Sequence, residues 1–140
     1  LASATLVPMY LLAHVPPPPI VAASEEGVLA YSPEKLAALR AAGTPVFVDM
    51  TADWCVTCKA NEHTVLNKQA FRELLKRTGA VYMKGDWTDV NPAISAFLQQ
   101  YHSPGVPLYV VFPKNGGPGK QLSTVLTSSL VEQALSEAAR

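Results

Sequence analysis

Residues 47–59 have the sequence FVDMTADWCVTCK, in which a dense apolar run leads into a pair of cysteines. Pro45 to Met50 is almost continuously apolar and rich in β-branched residues, which predicts a central strand buried on both faces. Thr51 to Trp54 then make the turn into a helix, with Cys55 at the helix N-terminus or just before it. The segment therefore predicts a strand–turn–helix unit that presents the motif Cys55-Val-Thr-Cys58.

The two cysteines are the only ones in the chain and lie three positions apart. A bond between them closes a very short loop, so it adds little stability through chain entropy. A closed zinc site needs four ligands. His63 is the nearest candidate for a third ligand, while His14 and His102 are distant in sequence. The spacing favours a reversible redox pair, and we predict no cofactor beyond the Cys55–Cys58 disulfide itself.

Disulfide exchange needs an attacking thiolate, an accessible sulfur and a second thiol that resolves the mixed disulfide. The first cysteine of a C-x-x-C motif at a helix start lies where free backbone N–H groups and the helix dipole stabilise an anion. The second cysteine lies one turn further on the same side, and we expect it to be more buried. We therefore assign Cys55 as the nucleophile and Cys58 as the resolving thiol.

Two carboxylates near the motif are candidate catalytic residues. Asp49 falls inside the apolar run, where an aspartate is costly to bury; a buried acid has a raised pKa and can exchange protons with a thiol. The alternative is an Asp49 that points outward at the strand end. Glu62 lies four residues after Cys58 and can reach back towards it, or can face solvent. If both acids lie beneath the sulfurs, they should raise the pKa of the cysteines and slow idle exchange.

The motif Gly105-Val106-Pro107 precedes another buried strand. Proline at the mouth of such a strand removes a ladder donor, and a cis X-Pro bond at the strand start is one arrangement that tolerates it. The Val106 backbone is then free to pair with an incoming extended peptide, as in strand addition.

Strand and helix patterns alternate along the rest of the chain. Helix starts are predicted at Ser32-Pro33, at Asn67, at Asn91-Pro92 and at Ser128 or Ser129. The other predicted strands are Val28–Tyr31, Ala80–Lys84, Pro107–Phe112 and Gln121–Leu126. This order predicts an α/β fold, a central mixed sheet with helices on both faces and a β-α extension in front.

Size and composition limit the remaining possibilities. The chain has 140 residues, of which 49% are hydrophobic, enough for one domain with a sizeable core. Eleven basic and eleven acidic residues give no net charge, which argues against a nucleic-acid partner.

Residues 1–26 are predicted to be an apolar stretch and a proline-rich linker, followed by the folded domain at 27–140. Because the chain begins at Leu1, we expect a fragment or a processed form. Leu1 to Val15 is either the end of a transmembrane helix or a loosely packed arm.

Residues 47–59 resemble the active-site segment of thioredoxin-fold proteins. The form Asp-Trp-Cys-Val-x-Cys-Lys, with Glu62 downstream, more specifically resembles the C-terminal periplasmic domain of DsbD-type transmembrane thiol:disulfide reductases, including ScsB-like relatives. GDWT at 85–88 and SPGVPLY at 103–109 also resemble that family. The resemblance covers about residues 28 to 138. Thioredoxins usually carry Gly-Pro between the cysteines, and Val56-Thr57 stands here instead.

The resemblance implies a thioredoxin fold and a protein-disulfide reductase at the periplasmic side of the bacterial inner membrane. Such a domain takes electrons from a membrane-embedded cysteine pair of the same protein and passes them to a periplasmic thiol domain or protein. Asp49 and Glu62 match the two acidic residues that tune the family's cysteines, and Pro107 matches its cis-proline. The candidate partner-binding residues are Trp54, Val56, Thr57, Val106 and Pro107.

Two other functions remain open at this point. One is a free-standing thioredoxin-like reductase that serves cytochrome c maturation or oxidative folding; a multi-span membrane region upstream of Leu1 would argue against it. The other is a non-enzymatic binding module on the same scaffold. Partner binding that survives replacement of both cysteines, without any thiol exchange, would favour that reading.

Overall fold

The computed structural model describes residues 27–140 and arranges them around a five-stranded sheet. The strands are β1 (Val28–Ala30), β2 (Val46–Thr51), β3 (Val81–Asp86), β4 (Leu108–Phe112) and β5 (Lys120–Gln121). The helices are α1 (Pro33–Ala41), α2 (Val56–Asn61), α3 (Gln69–Thr78), α4 (Pro92–Gln100) and α5 (Ser128–Ala138), and a single π-helical turn, Glu62–Leu66, follows α2.

Strand β2 is the centre of the sheet, whose order is β1-β3-β2-β4-β5. It pairs in parallel with β3 and antiparallel with β4, so the sheet is mixed. All six of its residues are buried. The prediction of a central strand covered on both faces is therefore confirmed, and the strand carries the chain directly into the cysteine motif.

Helices cover both faces of the sheet, each over its own apolar cluster. Successive side chains of a strand point to opposite faces, and β2 accordingly sends Phe47 to one cluster and Val46 and Val48 to the other. The Phe47 cluster contains residues of the π-helical turn, α3 and α5, and the opposite cluster contains residues of α1 and α4. The face of β2 that carries Phe47 also carries Asp49, two positions further on.

Several local signals act as the sequence predicted. The Ser32 hydroxyl accepts from the backbone N–H of Lys35 at 3.0 Å, which caps α1. The Asn91 side chain caps α4 in the same way. Gly79 ends α3 in the left-handed conformation, with φ +71°, where a residue without a Cβ is favoured.

Three predictions about element ends are wrong. Asn67 does not cap α3, because Lys68 is the N-cap residue. Asn67 ends the π-helical turn instead, and its N–H donates to the Glu62 carbonyl at 2.8 Å. Thr127, rather than Ser128 or Ser129, caps α5 by accepting from the Leu130 N–H. Strand β5 is only two residues long and does not extend to Leu126, because a side chain of α2 takes the polar backbone groups of that segment. The predicted linker at 1–26 lies outside the described residues.

Candidate active site

Cys55 and Cys58 form a disulfide at the start of α2. Cys55 is the residue before the first turn of the helix, and its Sγ accepts a hydrogen bond from the Cys58 backbone N–H at 3.1 Å. Cys58 is completely buried, whereas 6% of Cys55 is exposed. A backbone N–H aimed at a sulfur stabilises that sulfur as a thiolate. The predicted placement of the pair is confirmed, with Cys55 as the more accessible sulfur.

The loop before β4 lies against the cysteine pair. The Val106–Pro107 peptide bond is cis, as the sequence predicted. Val106 is half-buried and packs on the small cluster formed by Ala52, Cys55 and Cys58. The Ser103 hydroxyl donates to the Gly105 carbonyl at 2.6 Å, which fixes the approach to the cis bond. One side of the cysteine cluster is therefore covered by a residue that belongs to no helix or strand.

Asp49 is buried on β2, the strand that leads into the cysteine motif, with 1% of its surface exposed. The Tyr82 hydroxyl donates to its Oδ2 at 2.6 Å. Burial and the neighbouring Asp49 carboxyl raise the pKa of Tyr82 far above its usual value, so the phenol stays protonated and acts as the donor. The prediction of a buried Asp49 is confirmed, and an outward orientation at the strand end is excluded.

Glu62 follows α2 directly and turns towards the end of β2. Its Oε2 accepts from the Thr51 hydroxyl at 3.3 Å, and the residue is half-buried rather than fully solvent-facing. Burial raises the pKa of Tyr109, and the charge of Asp49 raises it further. The charge of Glu62 also raises the pKa of Tyr109. The two carboxylates therefore act on one face of the sheet, the face covered by the π-helical turn.

Asn61 and Tyr82 are functional candidates that the sequence analysis missed. Asn61, buried on α2, donates from Nδ2 to the Tyr109 hydroxyl at 2.9 Å and to the Thr124 carbonyl at 2.8 Å, and its Oδ1 accepts from the Leu126 N–H at 3.0 Å. A buried tyrosine hydroxyl needs a partner. Tyr82 lies in a strand that the sequence predicts. Under this rule its hydroxyl needs a buried polar partner, and Asp49 is a candidate for that partner.

The outer rim of the site is apolar and exposed. Trp54 is 58% exposed and Val56 is 82% exposed. The Trp54 indole donates to the Thr88 carbonyl at 3.2 Å, and the Asp53 N–H donates to the Thr88 hydroxyl at 2.8 Å. Thr57 is exposed as well. The turn before Cys55 is thus tied to the loop after β3, and its large side chains remain available for contact.

Lys59 lies outside this rim and forms a surface ion pair with Asp53 at 3.8 Å. Such exposed pairs contribute little to stability. Within residues 27–140, no three His, Cys, Asp or Glu side chains are grouped so that they could hold a metal ion. In the same range no helix is both long and apolar enough to cross a bilayer.

Comparison with known proteins places these features in context. The model of a family described as thioredoxin-like matches residues 28–114. The thiol:disulfide interchange protein DsbD 1 of Pseudomonas aeruginosa is 33% identical over 90 residues, and DsbD of Pseudoalteromonas atlantica is 36% identical over 83 residues. These alignments cover 64% and 59% of this chain but 15% and 14% of the two relatives.

A solved structure shares the architecture over most of the described range. The oxidised C-terminal domain of Neisseria meningitidis DsbD superposes with a TM-score of 0.61 at 24% sequence identity. The match covers 77% of this chain and 97% of that domain. At 24% sequence identity, this likeness shows that the two chains share a fold and carries no argument about activity.

Proposed function

The chain belongs to the thioredoxin-like family and has the thioredoxin fold that its sequence predicted, and from this premise we propose that it is a protein-disulfide reductase domain working through Cys55 and Cys58. The observation that carries the proposal is the hydrogen bond from the Cys58 N–H to the Cys55 Sγ. The bond favours the thiolate at the more accessible of the two sulfurs, which is the form that attacks disulfides.

The reaction runs in two exchanges. In the reduced domain, the Cys55 thiolate attacks a partner disulfide, forms a Cys55–partner mixed disulfide and releases one partner sulfur as a thiolate. Cys58 then loses its proton and attacks the Cys55 Sγ. That step forms the Cys55–Cys58 bond, breaks the mixed disulfide and releases the second partner sulfur. The partner gains two electrons and the domain is left oxidised.

We assign the deprotonation of Cys58 to the acidic interior. Cys58 is completely buried, so its thiol proton has no direct access to bulk water. Asp49 lies on the face of β2 that Phe47 shares with the π-helical turn, and Glu62 joins that face through Thr51. Asp49 is the proposed proton acceptor. Glu62 is proposed to change, through its own charge, how readily Asp49 and the cysteine thiols ionise.

Partner binding is assigned to the exposed rim and the cis-proline loop. Trp54, Val56 and Thr57 offer the accessible surface beside Cys55. Val106 packs against the two cysteines, and its backbone is proposed to pair with an extended segment of the partner. No cofactor enters this scheme, since the disulfide itself carries the two electrons.

We further propose that the domain is one part of a longer electron-transfer protein. The chain spans about 15% of the length of the curated relatives, which are named thiol:disulfide interchange proteins. In this scheme a membrane-embedded cysteine pair of the same protein donates electrons. A periplasmic thiol domain or protein accepts them, on the outer side of the bacterial inner membrane.

Trapping of the mixed disulfide tests the exchange directly. In Cys58→Ser the resolving thiol is absent, so the Cys55–partner bond should persist and appear as a reducible adduct on a non-reducing gel. The matched control is Cys55→Ser, which should trap no adduct because the attacking sulfur is missing. A reduced Cys58→Ser protein that forms no adduct with any periplasmic thiol domain would overturn the proposal.

A further inference from the structure

The contact between Tyr82 and Asp49 joins β3 to the strand that leads into the cysteine motif. The Tyr82 hydroxyl lies 2.6 Å from the Asp49 Oδ2, and both side chains are buried. Edge-on ring contacts hold Tyr82 in place: its ring centroid is 5.8 Å from that of Phe47 and 5.3 Å from that of Phe71. The hydroxyl is therefore presented to the carboxyl by a rigid aromatic cluster.

The charged and titratable groups around this contact come from three elements. Asp49 is paired across the sheet with Lys84 on β3 and with Tyr109 on β4. Glu62 faces the same region from the start of the π-helical turn, and its charge acts on both tyrosines. Burial and the negative charge of Glu62 both disfavour a carboxylate at Asp49, whereas a donated hydrogen bond favours it.

We propose that Tyr82 is a positioning residue that keeps Asp49 ionised at the pH of exchange, so that Asp49 can accept the proton of the Cys58 thiol. The inference rests on the proposed function and adds Tyr82 to the residues that serve the Cys58 proton transfer. A hydrogen bond donated to a carboxylate stabilises the charged form over the neutral acid. In this proposal Tyr82 acts on the reacting sulfurs through Asp49.

The step is balanced as follows. The proton leaves the Cys58 Sγ for the Asp49 carboxylate as Cys58 attacks the Cys55 Sγ. The mixed disulfide breaks, and its electron pair leaves on the partner sulfur. Loss of the Tyr82 hydroxyl raises the pKa of Asp49, so a smaller fraction of Asp49 is ionised at acidic pH. The acid limb of the exchange rate must then move to higher pH.

The test is the pH profile of disulfide exchange in Tyr82→Phe, which removes the hydroxyl and keeps the ring in its aromatic cluster. We expect the acid limb to move up by about one pH unit, the usual effect of one hydrogen bond to a carboxylate. The matched control is Tyr101→Phe, which removes a hydroxyl from the cluster on the opposite face of the sheet and should leave the profile unchanged.

A double variant separates this mechanism from a loss of packing. Once Asp49→Asn has removed the acceptor, adding Tyr82→Phe should change the profile no further. An unshifted acid limb in Tyr82→Phe, or an equal slowing at every pH in both backgrounds, would overturn the inference. A wild-type chain that exchanges no disulfide would instead overturn the proposed function, so the two failures are distinguishable.

Discussion

The two sides of the disulfide are built in opposite ways. On the outer side, Trp54 and Val56 are largely exposed, and their surroundings are a turn and a loop. On the inner side, Asp49, Tyr82 and Asn61 are buried and every one of them makes a side-chain hydrogen bond across elements. The outer side offers an exposed surface, whereas the inner side is held by buried hydrogen bonds. Substitutions on the inner side should therefore change the free energy of unfolding and its pH dependence. Substitutions on the outer side should change the rate of exchange with protein partners.

The largest expected loss of stability is at Asn61. Asn61→Ala removes three hydrogen bonds and leaves the Leu126 N–H buried without its acceptor. We expect the free energy of unfolding to fall by about 2–4 kcal/mol, measured by denaturant titration. Asn67→Ala is the control, because Asn67 is exposed and its replacement should cost under about 0.5 kcal/mol. Equal losses at the two positions would contradict the stabilising role of the buried Asn61 contacts.

The next effect is a loss of stability at alkaline pH. Burial raises the pKa of Tyr82 and Tyr109 above the ordinary value of 10.0. Their phenols ionise more readily in the unfolded chain, so the folded state binds more protons above about pH 10. The free energy of unfolding should then fall by about 1.4 kcal/mol per pH unit for each such tyrosine. Tyr82→Phe should remove one of these contributions, and an unchanged slope would contradict the burial of its hydroxyl.

The smallest energetic effect is expected on the outer side, at Trp54. Trp54→Ala should slow exchange with a protein partner by about fivefold, since an exposed tryptophan beside the reactive sulfur contributes on the order of 1 kcal/mol to docking. Exchange with a small thiol such as glutathione should be unchanged, because that reagent needs no docking surface. Stopped-flow measurements with both substrates give the ratio of the wild-type rate to the Trp54→Ala rate for each substrate. Equal slowing with both would show that Trp54 acts on the cysteines themselves.

The sequence predicted those parts of the site that depend on neighbouring residues. The helix start at Cys55, the buried Asp49 and the cis bond before Pro107 each follow from a short motif, and the structure has all three. Capping and strand patterning act within a few residues, whereas the prediction of the cis bond also needed the C-x-x-C motif and the family resemblance.

The sequence does not predict contacts in which a polar group finds its partner far along the chain. Tyr82 and Asp49 are 33 positions apart, and Asn61 and Leu126 are 65 positions apart. The second contact also explains why β5 does not extend to Leu126, since the Asn61 side chain bonds the backbone at Thr124 and Leu126. Such contacts depend on sheet register and helix placement, which the pattern of apolar residues does not specify.

The equilibrium reduction potential of the Cys55–Cys58 pair, measured in defined thiol buffers, tests the reductase proposal most directly. A reductant that passes electrons outward should have a potential between roughly −270 and −200 mV, the range of thioredoxin and glutaredoxins. The roles proposed for Asp49 and Glu62 favour this outcome, because negative charge near the sulfurs disfavours a strongly stabilised thiolate. A potential near about −120 mV would identify a disulfide donor instead and would contradict the proposed direction of electron flow.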